Sequence, residues 1–197
     1  MKFLSDDQAQ AFGEKGYLVI DSWLAPAQLI KTYAEFDELF RSGKFKKAQI
    51  TQTASQSGIT RGDWTCWLDS STPSFAQIEK ELLHWIPLLN ETFFCNVTSL
   101  EAHMAHYPPG PGYEKHLDQP KGKENRKITF VLYLNPQWSP QDGGELCLYD
   151  KSGQLLEKIS PLGGRMVLFR SDLFPHEVLP CLRARRSLTG WFRNDAV

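Results

Sequence analysis

From Val97 onward the sequence breaks into short alternating runs, and this rhythm constrains the fold more than any other feature. The runs SLEAHMAHY, KITFVLYLN, GELCLYD, LLEKIS, RMVLFR, HEVLP and SLTGWFR are separated by PPGPG, QPKGKEN, QDGG, KSG, PLGG and RSDLFP. Val, Ile, Phe and Tyr suit a pleated, half-buried surface, while Gly, Pro, Asn and Asp supply the turns between strands. Closely spaced strands of this kind predict a sandwich or jelly roll.

The first half reads as helices. Ser5 is placed to cap a short helix through Glu14, closed by Gly16. YLVIDSWL (17–24) reads as a strand, and Pro26 suits the first turn of a helix ending near Gly43. That helix carries Leu29, Ile30, Tyr33, Phe36 and Leu39 at helical spacing. WTCWL (64–68) reads as a strand. PSFAQIEKELLHWIPLLNETFF reads as one long helix, with Ile78, Leu82, Trp85 and Leu89 on one face. The polar stretch 44–63 predicts a lid or binding loop. The expected layout is α+β, mainly β: a single domain over 1–197, with helices and lid in 1–94 supporting a catalytic jelly roll in 95–197. The helices are expected to cover one sheet.

Composition excludes several function classes. Lys and Arg number 22 against 23 Asp and Glu, a net charge of -1, so bulk attraction to nucleic acid or an anionic membrane is not expected. No apolar run reaches the length of a signal peptide core or a membrane helix. Cys66, Cys95, Cys147 and Cys181 form no C-x-x-C pair, which argues against a disulfide framework or a cysteine zinc site. A cytoplasmic location is the expectation.

The chemistry concentrates in YEKHLDQP, residues 113–120. In an extended chain His116 and Asp118 project to one face, and Leu117 is expected to point into the core behind. His176, in LFPHEVLP, opens a later β segment after a turn. Two imidazoles and one carboxylate can occupy one face of an octahedral metal and leave three positions open, as in non-haem Fe(II) sites. Zinc accepts the same ligands, so ligand type leaves the metal open. Arg185 begins the strand RRSLTGWF, and its guanidinium can hold a carboxylate through two parallel hydrogen bonds. Thr189 faces the same side by alternation, and Tyr133 is a further donor on a neighbouring strand. Metal and arginine together suit a small dicarboxylate bridging the two.

The segment from Tyr107 to Trp191 resembles the 2-oxoglutarate- and Fe(II)-dependent oxygenases, specifically the prolyl hydroxylase domain enzymes of the hypoxia-sensing type. The matching pieces are YPPGPGYEKHLDQP, YLN at 133–135, Trp138, GGEL at 143–146, PHEVLP at 175–180 and R-x-x-x-T-x-W at 185–191. The match reaches back to RGD at 61–63. The resemblance implies a double-stranded β-helix with His116, Asp118 and His176 as iron ligands. It implies that Arg185 binds the distal carboxylate of 2-oxoglutarate, helped by Tyr133. Thr189 and Leu146 would line that pocket, and Tyr107 and Tyr113 would sit beside it and the metal. Trp191 would lie near a prolyl substrate, the 44–63 loop would cover it, and Arg126 and Asp63 would pair to close the loop.

The implied reaction consumes 2-oxoglutarate and O2, with ascorbate in support, and hydroxylates C4 of a prolyl residue while yielding succinate and CO2. The compact chain suggests a bacterial member acting on a cellular protein, with translation elongation factor Tu as the leading candidate. Alternatives are an oxygenase of small molecules or free amino acids, and a non-catalytic, cupin-like metal and dicarboxylate binder. A nucleic-acid demethylase is disfavoured, because it usually carries a second arginine where this chain has Trp191. His103 and His106 are expected to face opposite sides of one strand, and Arg183 and Arg186 to face solvent.

Overall fold

The computed structural model describes residues 4–48, 61–119 and 124–195. The chain begins with α1 (Asp6–Lys15), which carries a reciprocal cap: Ser5 Oγ accepts from the Gln8 amide and the Gln8 side chain accepts from the Ser5 amide. Asp6 and Asp7 lie at the positive end of the helix dipole, and Gly16 ends the helix in the left-handed region. There follow β1 (Tyr17–Ile20), α2 (Pro26–Arg41), β2 (Lys46–Lys47), β3 (Trp64–Trp67), α3 (Pro73–Leu83) and α4 (Ile86–Phe93). The remainder is β4 (Ser99–Tyr107), β5 (Tyr113–His116), β6 (Arg126–Tyr133), β7 (Leu146–Tyr149), β8 (Leu155–Ile159), β9 (Met166–Arg170), β10 (His176–Val178) and β11 (Arg185–Arg193).

These strands form two antiparallel sheets, ordered β1-β9-β6-β11-β4-β3-β2 and β5-β10-β7-β8. The jelly roll and its helical cover are as expected. Alternation on the large sheet sorts its side chains into two layers. Met104, Ile128, Phe130, Leu132, Leu188 and Phe192 pack with the helices, against Phe12, Phe36, Leu82, Trp85 and Leu89. Their neighbours one position away, including Ala105, Tyr107, Val131, Tyr133, Val167 and Phe169, pack with Leu146, Leu148 and Val178 of the small sheet. The first layer is almost wholly apolar, whereas the second shares its space with the polar site described below.

Several expectations are corrected. The long helix is two: α3 stops at Leu83, and Pro87 lies in the first turn of α4. Proline has no N–H for the ladder, and its ring would collide with the carbonyl four residues back. YLVIDSWL keeps only its first four residues as strand, and Trp23 and Leu24 enter the core from a turn. Ile30 matches the helical period yet is 64% exposed, while Thr32 is buried and returns its hydroxyl to the Gln28 carbonyl. Arg186 does not face solvent. It turns to the helical layer, over the rings of Tyr33 and Phe36 and toward Asp37. Of the expected 44–63 loop, residues 49–60 lie outside the described residues.

Phe130 is fully buried, so Phe130→Ala should cost about 3–5 kcal/mol of stability through lost burial and a residual cavity. Ile30→Ala should change stability by no more than about 0.5 kcal/mol. Urea unfolding midpoints of the two variants would check the contrast.

Candidate active site

Strand pairing brings the site together. β10 runs antiparallel to β5 with His176 directly opposite His116, and Asp118 lies two residues past the end of β5. The ligating atoms of His116, Asp118 and His176 all fall within 4.8 Å of one another. His116 Nε2 lies 3.6 Å from Asp118 Oδ1, and His176 Nε2 lies 3.5 Å from Oδ2. These separations are long for hydrogen bonds but suit ligands of one ion, which at metal–ligand distances of about 2.1 Å stand roughly 3 Å apart.

The imidazoles are oriented for that role. His116 Nδ1 faces the Glu114 carbonyl at 2.8 Å, and His176 Nδ1 faces the Phe174 carbonyl at 3.0 Å. A carbonyl can only accept, so each ring carries its proton on Nδ1 and turns the Nε2 lone pair toward Asp118. Tyr113 stacks on His116 with centroids 3.7 Å apart, and Phe169 meets His176 edge-on at 4.8 Å. Burial pushes His176 down to about 4, so it is neutral at physiological pH. Burial would raise the Asp118 carboxyl, but the charge of His176 and His116 when protonated in acid, together with the Thr129 hydroxyl, outweighs it and holds the group well below the usual carboxylate range. A carboxylate and two imidazoles that turn Nε2 toward it fit a divalent first-row metal on one face.

Leu117 does not point into a core. It is 36% exposed and lines the cavity beside the triad, because the chain leaves the sheet after His116.

Arg185 lies in the same cavity of about 990 Å³, and is only 2% exposed. Its Nε donates to the Gly144 carbonyl at 2.8 Å, and its guanidinium lies about equally far from the Tyr107 and Tyr133 rings, at 5.1 and 5.0 Å. No described carboxylate pairs with it. A buried, permanent charge in that condition is costly unless a ligand anion meets it. The Tyr133 hydroxyl is buried without a hydrogen-bond partner among the described residues. The guanidinium, with no carboxylate partner, and this hydroxyl fit the far carboxylate of a dicarboxylate ligand. Gly144 makes the approach possible, since a Cβ there would press on the Arg185 and Cys181 side chains at 3.2 and 3.0 Å. Leu146, Ser187 and Thr189 line the cavity too, and the register of β11 sets Ser187 opposite Tyr133 and Thr189 opposite Val131.

At the mouth, Trp191 lies under Arg126 at 3.5 Å and stacks on His103 at 5.4 Å. His103 in turn meets Trp67, which is 58% exposed. Arg126 and Asp63 do not pair. Asp63 is fully buried and held by Arg61 at 2.6 Å, two residues away on an extended segment where both side chains share a side. Arg126 and Arg193 instead both donate to Glu101.

Thr129, Ser187, His103, Glu101, Arg193 and Trp67 were not among the expected site residues. Period-two alternation from Arg185 leads through Ser187 to Arg193, and alternation from Tyr107 leads back to His103 and Glu101, so the signal for those four was present. Alternation from Tyr133 leads likewise through Val131 to Thr129, whereas Trp67 depends on strand pairing across the sheet.

Fold and donor set thus define a jelly-roll protein with a two-histidine, one-carboxylate metal centre. The model of the 2OG-Fe(II) oxygenase superfamily matches residues 102–193. A crystal structure of a Pseudomonas putida prolyl-4-hydroxylase superposes with TM-score 0.86 and 30% identity, covering 96% of this chain and 98% of that one. A Trichoplax adhaerens prolyl hydroxylase, solved with a hypoxia inducible factor peptide fragment, superposes at 0.79 and 29% identity, covering 95% and 87%. A Caenorhabditis elegans hypoxia-inducible factor prolyl hydroxylase is 28% identical over 210 residues. That match takes in 100% of this chain but only 29% of the relative, so the chain spans less than a third of that protein's length. The chain belongs to the 2OG-Fe(II) oxygenase superfamily, in its prolyl hydroxylase family.

Thr129 Oγ1 donates to Asp118 Oδ2 at 2.8 Å and shares a 2.9 Å hydrogen bond with Ser171. Thr129→Val keeps the shape and removes that donor. Metal affinity should fall by about 10- to 100-fold, as for other groups that orient ligands. Calorimetric titration with Mn(II) would measure it.

Proposed function

We propose that the protein is a 2-oxoglutarate- and O2-dependent Fe(II) dioxygenase that hydroxylates C4 of a prolyl residue in a protein substrate, with succinate and CO2 as the other products. The observation that carries this reading is one cavity holding both the His116–Asp118–His176 cluster and a buried arginine without a carboxylate partner. Near-complete two-way coverage of the Pseudomonas putida prolyl-4-hydroxylase supports the prolyl substrate.

His116, Asp118 and His176 would hold the ferrous ion. Once bound, that ion would supply the oxygen chemistry that consumes 2-oxoglutarate, and ascorbate would keep it reduced. Arg185 and the Tyr133 hydroxyl take the far carboxylate of the co-substrate and fix its orientation, so that reaction is directed at the substrate carbon. Leu146, Val131 and Thr189 close the pocket around it and keep it dry. Tyr107 packs on Arg185, and its buried phenol is raised and stays protonated. Tyr113 clamps His116, while Trp191 and Arg126 form the wall nearest the mouth and receive the prolyl segment. Asp63 acts at a distance by fixing Arg61 beside Tyr113.

Translation elongation factor Tu is the proposed protein substrate. A cytoplasmic setting is proposed with it, in keeping with four cysteines that are all free.

Incubation of purified elongation factor Tu with the enzyme, Fe(II), 2-oxoglutarate and ascorbate should add one oxygen at one proline, read by peptide mass spectrometry together with succinate. His176→Ala should abolish both products. Arg185→Ala should raise the 2-oxoglutarate requirement by roughly 100-fold or more, as for loss of a buried charge partner. An unchanged requirement would remove Arg185 from the pocket.

A further inference from the structure

Cations crowd the cavity that holds the triad, and most have an assignment. Arg61 is paired with the buried Asp63. Arg126 and Arg193 share Glu101, and Arg193 also holds Asp195. Arg185 faces the co-substrate end. Three cations are left: Lys44, Lys46 and Lys47 all line the same cavity, all are exposed, and none has a carboxylate partner among the described residues. Their charge is uncompensated in a chain whose net charge is -1.

Their place in the fold adds to this. Lys46 and Lys47 form β2, the last strand of the large sheet among the described residues, where it is hydrogen-bonded to β3. β3 carries Trp67, an exposed indole whose ring contacts continue through His103 to Trp191. Lys46 stands opposite Thr65, on the strand face that Trp67 shares, and so flanks an aromatic path leading toward the metal cluster, with Lys44 and Lys47 also at the cavity edge. Exposed aromatic anchors beside complementary charge are what a polypeptide segment needs in order to dock.

We infer that Lys44, Lys46 and Lys47 form a docking rim for acidic side chains flanking the target proline, so that the substrate class is an acidic prolyl segment. This rests on the proposed prolyl activity for its meaning, but binding can be measured without turnover. The lysines steer and hold the flanking carboxylates, while Trp67 receives apolar surface from the same segment. A nucleic acid is the weaker fit, because three lysines offer few phosphate contacts once the arginines are neutralised internally.

The test uses the full chain and four labelled probes: three synthetic peptides sharing one central proline, with aspartates, asparagines or lysines at the flanking positions, and a single-stranded oligonucleotide. Fluorescence anisotropy should show the aspartate peptide binding on the order of tenfold more tightly than the asparagine peptide at low salt. The difference should shrink as ionic strength rises and the Debye length falls below about 10 Å. Replacing the three lysines together with glutamine should erase the preference, and replacing them with glutamate should reverse it toward a lysine-flanked peptide. Equal binding of the two peptides, or a preference that survives both variants, would overturn the inference. So would tighter binding of the oligonucleotide that the lysine variants abolish. Mass analysis of the same peptides separates the two readings. Charge-selective binding with no added oxygen on any prolyl probe would count against the hydroxylase alone, and hydroxylation without charge preference against the rim alone.

Discussion

The position of Arg185 at the start of β11 is the constraint on which the site depends. A guanidinium cannot lose its charge, and one placed between two sheets must be met by something. Here the protein supplies one carbonyl, from Gly144, and two aromatic faces, and leaves the rest of the fork unanswered. The pairing of β11 with β4 and β6 prevents escape. The pairing with β4 sets Arg185 opposite Tyr107 and runs without a break to Arg193 opposite Ser99. A slip of one residue would send Arg185 into the apolar layer and Arg186 into the cavity. The helical layer already compensates Arg186 through Asp37 and Tyr33, so the register is specified from both faces.

The same division separates stability from chemistry. On the large sheet, one face meets the helices through Phe130, Leu132, Met166, Leu168 and Phe192, which are fully buried. The other face spends part of its area on Thr129, Ser171, Ser187 and Arg185, buried polar groups that contribute little to folding. The helices therefore do more than cover a sheet edge. By completing an apolar layer on one side, they allow the opposite side to carry the unpartnered Tyr133 hydroxyl and a buried Arg185 with no carboxylate partner among the described residues.

Much of this was legible in the sequence, and the failures have a common cause. Features set by local chemistry read correctly: the Ser5 cap, the Gly16 stop, the Pro26 start and the alternation of the strands. The cluster of His116, Asp118 and His176 was legible because residue types with metal-ligating chemistry stood in extended segments. What could not be read depended on neighbours brought from elsewhere. Asp63 pairs within its own segment and not with Arg126, because its burial makes the nearest guanidinium decisive. Leu117 turns to the cavity because the chain leaves β5 at His116, an event the H-x-D pattern does not encode. Pro87 is the exception, a local signal outweighed in the reading by an apolar period that ran through it.

Histidine shows how little composition decides by itself. β4 carries His103 and His106 as close in sequence as many metal ligands, yet neither reaches the cluster. They lie three positions apart on a strand, so alternation sends them to opposite faces. His106 packs on Phe40 and Phe36, and burial pushes it down to about 4. His103 lies between Trp67 and Trp191, and burial takes it down to about 3. Both are therefore neutral at physiological pH and serve as flat aromatic groups. Neither adds positive charge beside the metal cluster or the co-substrate cavity. His116 and His176 differ in what holds the far side of the ring: each Nδ1 faces a backbone carbonyl, whereas the Nδ1 atoms of His103 and His106 have no partner among the described residues. An imidazole oriented by a fixed acceptor can aim a lone pair, and one wedged between indoles cannot. That difference, set by backbone geometry on β5 and before β10, separates His116 and His176 from the two histidines of β4 as candidates for ligands.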